Sequence, residues 1–213
     1  MRIRVSIVPA AVLSLVPALM LGGLPAGGWP GEPQAPPWTD TGHVTIEGHA
    51  TPYLIRHLPV SSFPQLPGAV GNLLKERGCL IPQTYEAHQP ENVVEASLER
   101  AGSKDWAVLC SEKGTVSLLV FFGDSATASL SNPRVLATAP EMTRLQAHGA
   151  DGVLGFDWGI DSASPEQVHE AQMGMRYPPR RLDHDALADS VIDGATVYHF
   201  YTGNAWAVVE TGE

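Results

Sequence analysis

Only two cysteines, Cys79 and Cys110, occur in the sequence, and that scarcity already excludes several chemistries. Their spacing rules out a CxxC redox pair, and two thiols alone make a poor zinc site. Basic side chains are scarce as well, with 13 Lys and Arg against 23 Asp and Glu. Such an excess of negative charge repels nucleic acid phosphates and anionic lipid headgroups, so neither a nucleic acid nor a membrane surface is expected as partner. It suits a cationic protein or a cell-envelope component, and it also keeps a protein soluble. There is no internal repeat, and no motif calls for a cofactor.

Charge is also missing from one long stretch near the start. Met1-Arg2-Ile3-Arg4 is followed by Val5 to Leu24 without a charged residue. Two arginines before an apolar run have the layout of a secretory signal peptide. Pro9, Pro17 and the small residues Ala26 and Gly28 favour a cleaved peptide over a membrane anchor, although about 20 apolar residues suffice to span a bilayer. Cleavage is expected after Gly28, with Ala26 as the rival position. No cysteine follows the run to carry a lipid, and no twin arginine precedes it. Residues 29–40 hold Pro30, Pro33, Pro36 and Pro37 and read as an extended tether. The expected organisation is therefore 1–28 signal peptide, 29–40 tether and 41–213 one globular domain, periplasmic or secreted. Without Arg2 and Arg4, 11 basic side chains face 23 acidic ones, a net charge of −12. In an oxidising compartment the lone pair Cys79 and Cys110 is expected to form a disulfide. It is worth roughly 3–4 kcal/mol in the chain-entropy model.

Periodicity gives the elements. His43 to His49 alternates polar and apolar residues as a half-buried strand does, and Tyr53-Leu54-Ile55 continues it. Pro67 to Arg77 reads as a helix, with Leu66, Val70, Leu73 and Leu74 on one stripe and Gly78 just past the end. Asn92 to Arg100, Trp106 to Ser111 and Thr115 to Phe122 form strand-like runs joined by short turns, hence an antiparallel meander. Ser117 to Phe122 is apolar on both faces and is expected to be central, so a Cys79–Cys110 bridge would staple helix to sheet. Strands are also expected near Met142 to His148 and Val153 to Ile160. Ser164-Pro165-Glu166-Gln167 opens a helix through a capping box, carrying Val168, Ala171, Gln172 and Met175 inward. A short helix around Ala186 to Ile192 precedes a final hairpin, Thr196 to Thr202 and Ala205 to Glu210. The class is α+β: a mostly antiparallel sheet, meander plus C-terminal hairpin, with two or three helices.

Four patterns bear on chemistry. Leu118-Leu119-Val120-Phe121-Phe122-Gly123-Asp124-Ser125 is an apolar strand ending in Gly-Asp-Ser. It resembles the first block of SGNH (GDSL-type) hydrolases, which implies Ser125 as a nucleophile with His169, His184 or His199 as base and His184 the preferred partner. The family's later blocks do not follow; the closest is Glu166-Gln167-Val168-His169 on a helix. Histidines and carboxylates cluster as His43, Glu47 and His49, taken to share one strand face, and as Asp183-His184-Asp185. The first set spans about 20 Å and the second suits a helix start, so no metal site is expected. The meander, with Asp105 before Trp106-Ala107-Val108-Leu109, resembles one blade of an FG-GAP β-propeller, but its Glu99 to Asp105 loop places two cations where a calcium loop needs carboxylates.

The fourth pattern is the widest. Arg77-Gly78-Cys79-Leu80-Ile81-Pro82-Gln83, Asn92-Val93-Val94, Asp105-Trp106-Ala107-Val108-Leu109-Cys110-Ser111, His184-Asp185 and the closing Trp206 strand resemble a group of uncharacterised exported bacterial proteins. The resemblance implies one domain with a Cys79–Cys110 bridge and carries no activity. Trp106, Tyr198, Phe200, Tyr201 and Trp206 fall on strands as core residues or as a sugar- or peptide-binding face. The expectation is thus an exported non-catalytic domain, a binding or inhibitor-like module, with no catalytic residue; the alternative is a serine hydrolase using Ser125 and His184.

Overall fold

The computed structural model describes residues 38–123, 132–148, 151–173, 175 and 181–211, and the expectations for 1–37 and for Ser125 lie outside them. The chain opens with two long strands, β1 (Trp38–Ile46) and β2 (His49–Pro59), paired in continuous antiparallel register. Glu47 and Gly48, with φ of 51° and 84°, make the tight turn that glycine and primed hairpin turns favour. That turn lies inside the single strand expected for His43 to His49. β1 also begins at Trp38, within the stretch read as tether.

The chain then continues through α1 (Gly68–Glu76), β3 (Leu80–Gln83), β4 (Val93–Ala96), β5 (Asp105–Glu112), β6 (Thr115–Phe121) and β7 (Arg134–Pro140). A 3-10 turn at Glu141–Thr143 leads to β8 (Leu145–His148), β9 (Val153–Phe156) and β10 (Trp158–Ala163). α2 (Pro165–Ala171) and β11 (Ala186–Val191), β12 (Thr196–Tyr201) and β13 (Trp206–Glu210) complete it. The strands form a nine-stranded sheet with the path β7-β6-β5-β3-β2-β9-β8, flanked by β1 on β2 and β4 on β5, and a four-stranded sheet β10-β11-β12-β13. β4, β5 and β6 are the expected meander, and the last two strands are the expected hairpin. The larger sheet is nevertheless mixed, because β2 and β9 run parallel.

Alternation along the strands sorts side chains into layers. Trp106, Val108, Cys110, Leu119 and Phe121 face α1, whose Val70 and Leu74 are buried against them. The opposite faces of β5 and β6 send Ala107, Leu109, Val116, Leu118 and Val120 toward Trp158, Ile160 and Leu187 of the small sheet. The far side of that sheet packs Ala186, Phe200 and Val209 under Val168 of α2. The order is helix, sheet, sheet, helix. β6, apolar on both faces as expected, is an interior strand between β5 and the edge strand β7.

Cys79, one turn past α1, is bridged to Cys110 in β5, with Cα atoms 5.4 Å apart. Gly78 takes φ of 72° at the helix end, a conformation that L side chains resist. α2 carries the predicted capping box in full: Gln167 N donates to Ser164 Oγ, and Ser164 N donates to Gln167 Oε1. It stops at Ala171, so Met175 is exposed rather than inward.

One expected helix is a strand. Ala186 to Val191 has the alanine and leucine content of a helix, but it lies between β10 and β12 in the small sheet. Period two wins because Leu187 meets the large sheet while Ala186 lies beneath α2.

Candidate functional site

Of the residues singled out for catalysis, Ser125 lies outside the described residues, and His184 is tied through Asp185 to the loop before β5. Asp105, fully buried, accepts from the backbone N–H of Leu98 and Glu99, each at 2.8 Å, and from Ser103 Oγ at 2.5 Å through Oδ2. Its other oxygen accepts from Gly123 N at 2.9 Å. All four donors are N–H or O–H groups, so this carboxylate is a loop anchor rather than a calcium ligand. Gly123 is required at its position, since a Cβ there would lie 1.8 Å from the carbonyl oxygen of Lys104.

The same loop reaches the second candidate. Ser97 Oγ donates to Ser103 O at 2.9 Å, Ser97 N donates to Asp185 Oδ2 at 3.0 Å, and Asp185 N donates back to Ser97 O at 2.9 Å. His184, largely buried, donates from Nδ1 to Asp185 O at 2.9 Å. A carbonyl oxygen only accepts, so Nδ1 carries a proton and Nε2 is the ring nitrogen left for another partner. A continuous set of hydrogen bonds therefore links Gly123, two residues before Ser125, to His184. Asp185 bonds to Ser97 here instead of starting the helix that the sequence suggested.

Two buried histidine–carboxylate pairs lie elsewhere, one of them built on the candidate base His199. In the small sheet, Asp189 accepts from Trp158 Nε1 at 2.6 Å through Oδ1, and His199 Nε2 lies 3.1 Å from Oδ2. The Arg144 guanidinium sits 4.2 Å above the centre of the Trp158 ring. In the large sheet, His57 Nε2 lies 2.7 Å from Glu141 Oε1, joining β2 to the 3-10 turn after β7. Both pairs orient an imidazole as an acid–base enzyme would. Yet all four residues are buried, and no serine, threonine or cysteine bonds to either imidazole among the described residues. The first pair ties β11 to β12, and the second ties β2 to the turn after β7.

Further polar groups sit where the two sheets meet. Asn92, buried with φ of 68°, donates from Nδ2 to Pro82 O and Trp158 O, and its Oδ1 accepts from Ile160 N. It thereby ties β10 to the large sheet. Asp157, between β9 and β10, is buried, and burial pushes its carboxyl above the usual range against the opposing pull of Arg144 and His148. With its amide turned so that nitrogen faces the acid, Gln146 donates to Asp157 Oδ2 at 2.7 Å. Burial lowers the His148 pKa, and that ring stacks on Tyr85.

The remaining candidates separate. His43 lies opposite Pro52 and His49 opposite Ile46, so the two histidines occupy opposite faces of the hairpin. Among the described residues no three His, Cys, Asp or Glu side chains converge as a metal site. Phe122, Tyr201 and Trp206 form one aromatic cluster with centroids 5.1 to 6.0 Å apart; Phe122 and Trp106 are core, and Tyr201 and Trp206 pack half-buried against it. His169 lines a cleft with Pro165, Glu166, Glu170, Arg181 and Leu182. No helix among the described residues is long and apolar enough to cross a membrane.

Sequence reasoning missed Asp189, Glu141 and Asn92. The only signal for Asp189 is an acid at an inward position of an apolar alternation, which a helical reading of the segment hides. Comparison with protein-family models, with curated proteins and with solved structures gave no match, so the reading of this chain rests on its own residues and geometry.

Proposed function

We propose that the protein is an exported, non-catalytic binding module, inhibitor-like in that it works by occupying a partner rather than transforming it. The observation that carries this is the closed state of its acid–base groups. His57–Glu141 and His199–Asp189 are sealed into packed layers, where the first ties β2 to the turn after β7 and the second ties β11 to β12. Recognition then falls to a surface whose net charge is −10 over the whole chain. Such a surface favours a cationic protein or a basic component of the cell envelope, met in the periplasm or outside the cell. The test is sedimentation of the purified protein with isolated bacterial envelopes across a salt series. Binding should be saturable and should weaken steeply as salt screens the charge. Absent or salt-indifferent binding would remove this class of partner.

A serine hydrolase is the second reading, favoured by the hydrogen-bond path from Gly123 through Asp105, Ser103, Ser97 and Asp185 to His184. That path fixes the strand end before Ser125 relative to an imidazole whose Nε2 would be the base. Under the first reading the protein neither cleaves short acyl esters nor is labelled by an organophosphonate. Labelling that Ser125→Ala abolishes, with the circular dichroism unchanged, would replace the first reading by the second.

A further inference from the structure

β1 is the most exposed strand of the large sheet and has no buried residue. β2 is covered on one edge by β1 from His49 to His57, while its other edge is shared by β3 at Arg56 to Pro59 and β9 at Tyr53 and Leu54. The tip beyond Tyr53 is therefore a two-stranded arm. β1 is the outer strand, and among the described residues it pairs with β2 alone.

A nine-residue edge of this kind ordinarily carries a lysine, a proline or a bulge that discourages further pairing. Trp38-Thr39-Asp40-Thr41-Gly42-His43-Val44-Thr45-Ile46 has no lysine, proline or bulge, its one carboxylate is Asp40, and its register with β2 is unbroken. Its two large apolar side chains stand at its two ends, Trp38 at 60 % exposure and Ile46 at 45 %.

The pattern is complementary to itself. In a hairpin with a two-residue turn, the flanking pair, here Ile46 and His49, exchanges hydrogen bonds, and every second pair after it does the same. Even-numbered residues of β1 thus bond inward to β2, and Thr41 and His43 direct their backbone groups outward. Laid antiparallel on a second copy and centred on Gly42, the strand sets Thr41 against His43 of the other copy, as a hydrogen-bonding pair, twice. Trp38 then faces Ile46, also twice, at the close spacing of a non-hydrogen-bonded pair. Asp40 falls opposite Val44, and the two Asp40 carboxylates stay roughly 13 Å apart along the strands. That distance exceeds the Debye length at physiological salt, so the acidic character of the chain does not oppose this contact.

We propose that β1 is a dimerisation edge, joining two copies of this chain into one continuous sheet through the register centred on Gly42. The inference is independent of the partner proposed above. The interface is a single strand pair, at the small end of specific contacts, so the dimer is concentration-dependent.

Sedimentation velocity of the purified protein over a concentration series should show one copy giving way to two. Thr41→Pro removes an outward donor without touching the ladder to β2, and Ile46→Lys places a charge against Trp38. Each should weaken the dimer by at least about tenfold while leaving the circular dichroism unchanged. The double variant Trp38→Cys with Ile46→Cys should be trapped as a covalent dimer on mild oxidation, because the two positions are too far apart to bridge within one copy. The single variant Trp38→Cys should not be trapped through this contact. A protein monomeric throughout the series, a dimer indifferent to Ile46→Lys, or efficient trapping by Trp38→Cys alone would each overturn the proposal.

Discussion

The two faces of the central strands are built on different rules. On the side facing α1, Val70, Leu74, Leu119 and Phe121 pack with the Cys79–Cys110 bridge and hardly any polar atom. On the side facing the small sheet, a comparable apolar layer is crossed by Asn92, Asp189, His199 and the Trp158 indole, each bonded to a particular partner. Hydrophobic burial is non-directional and fixes proximity. Buried hydrogen bonds fix alignment, because a shifted strand would leave their partners unsatisfied. A helix needs only to lie on its sheet, and one covalent link suffices to hold it there. Two sheets meeting face to face could slide, and the polar residues prevent that.

The sharpest way to break this comparison is Asp189→Ala. It leaves the Trp158 N–H and His199 buried without their acceptor, and a loss of about 3–5 kcal/mol is expected in urea unfolding. A loss below about 1 kcal/mol would mean that the polar groups between the sheets add little. On the other face, replacing Cys79 and Cys110 by alanine together should cost about 3–4 kcal/mol if loop entropy dominates, mainly through the unfolded state. The native near-ultraviolet dichroism should survive, since the apolar layer remains. Its loss would show that α1 depends on the bridge for its docking.

The smallest effect concerns Asp157 at the meeting of the sheets. Its pKa is raised chiefly by burial, so the folded state holds the proton more tightly than the unfolded chain does. The stability this group contributes is present below its unfolded pKa and is lost as pH rises through the folded value. Asp157→Asn should therefore be more stable than the parent at pH 7, by less than about 1.5 kcal/mol, with the difference closing in acid. Thermal melts of both proteins at pH 7 and in acid decide the sign. A parent more stable at neutral pH would show that Arg144 outweighs burial.

Local signals were legible where local physics decides. The capping box at Ser164 and Gln167, the glycine after α1, the meander and the C-terminal hairpin all follow from neighbours in sequence. The bridge was legible from there being no other cysteine. β11 was not, because its composition favours a helix and only its place between β10 and β12 makes it a strand. The His57–Glu141 pair was equally hidden, since it joins residues 84 apart whose identities carry no local pattern. Of the candidate site, His184 and Gly123 were legible as separate residues, and the hydrogen bonds that link them through the loop before β5 were not.

The divided edge of β2 also sets the order in which the molecule assembles. Its pairing with β1 needs only a two-residue turn and forms on the microsecond scale of a hairpin. Its pairing with β9 joins Tyr53 to Leu154, about a hundred residues later, and the chain entropy of that closure must be overcome before any contact rewards it. Synthesis consequently delivers the hairpin long before the strand that completes its sheet. During that interval the Tyr53 edge awaits a partner, which makes late, slow closure an intrinsic property of this topology.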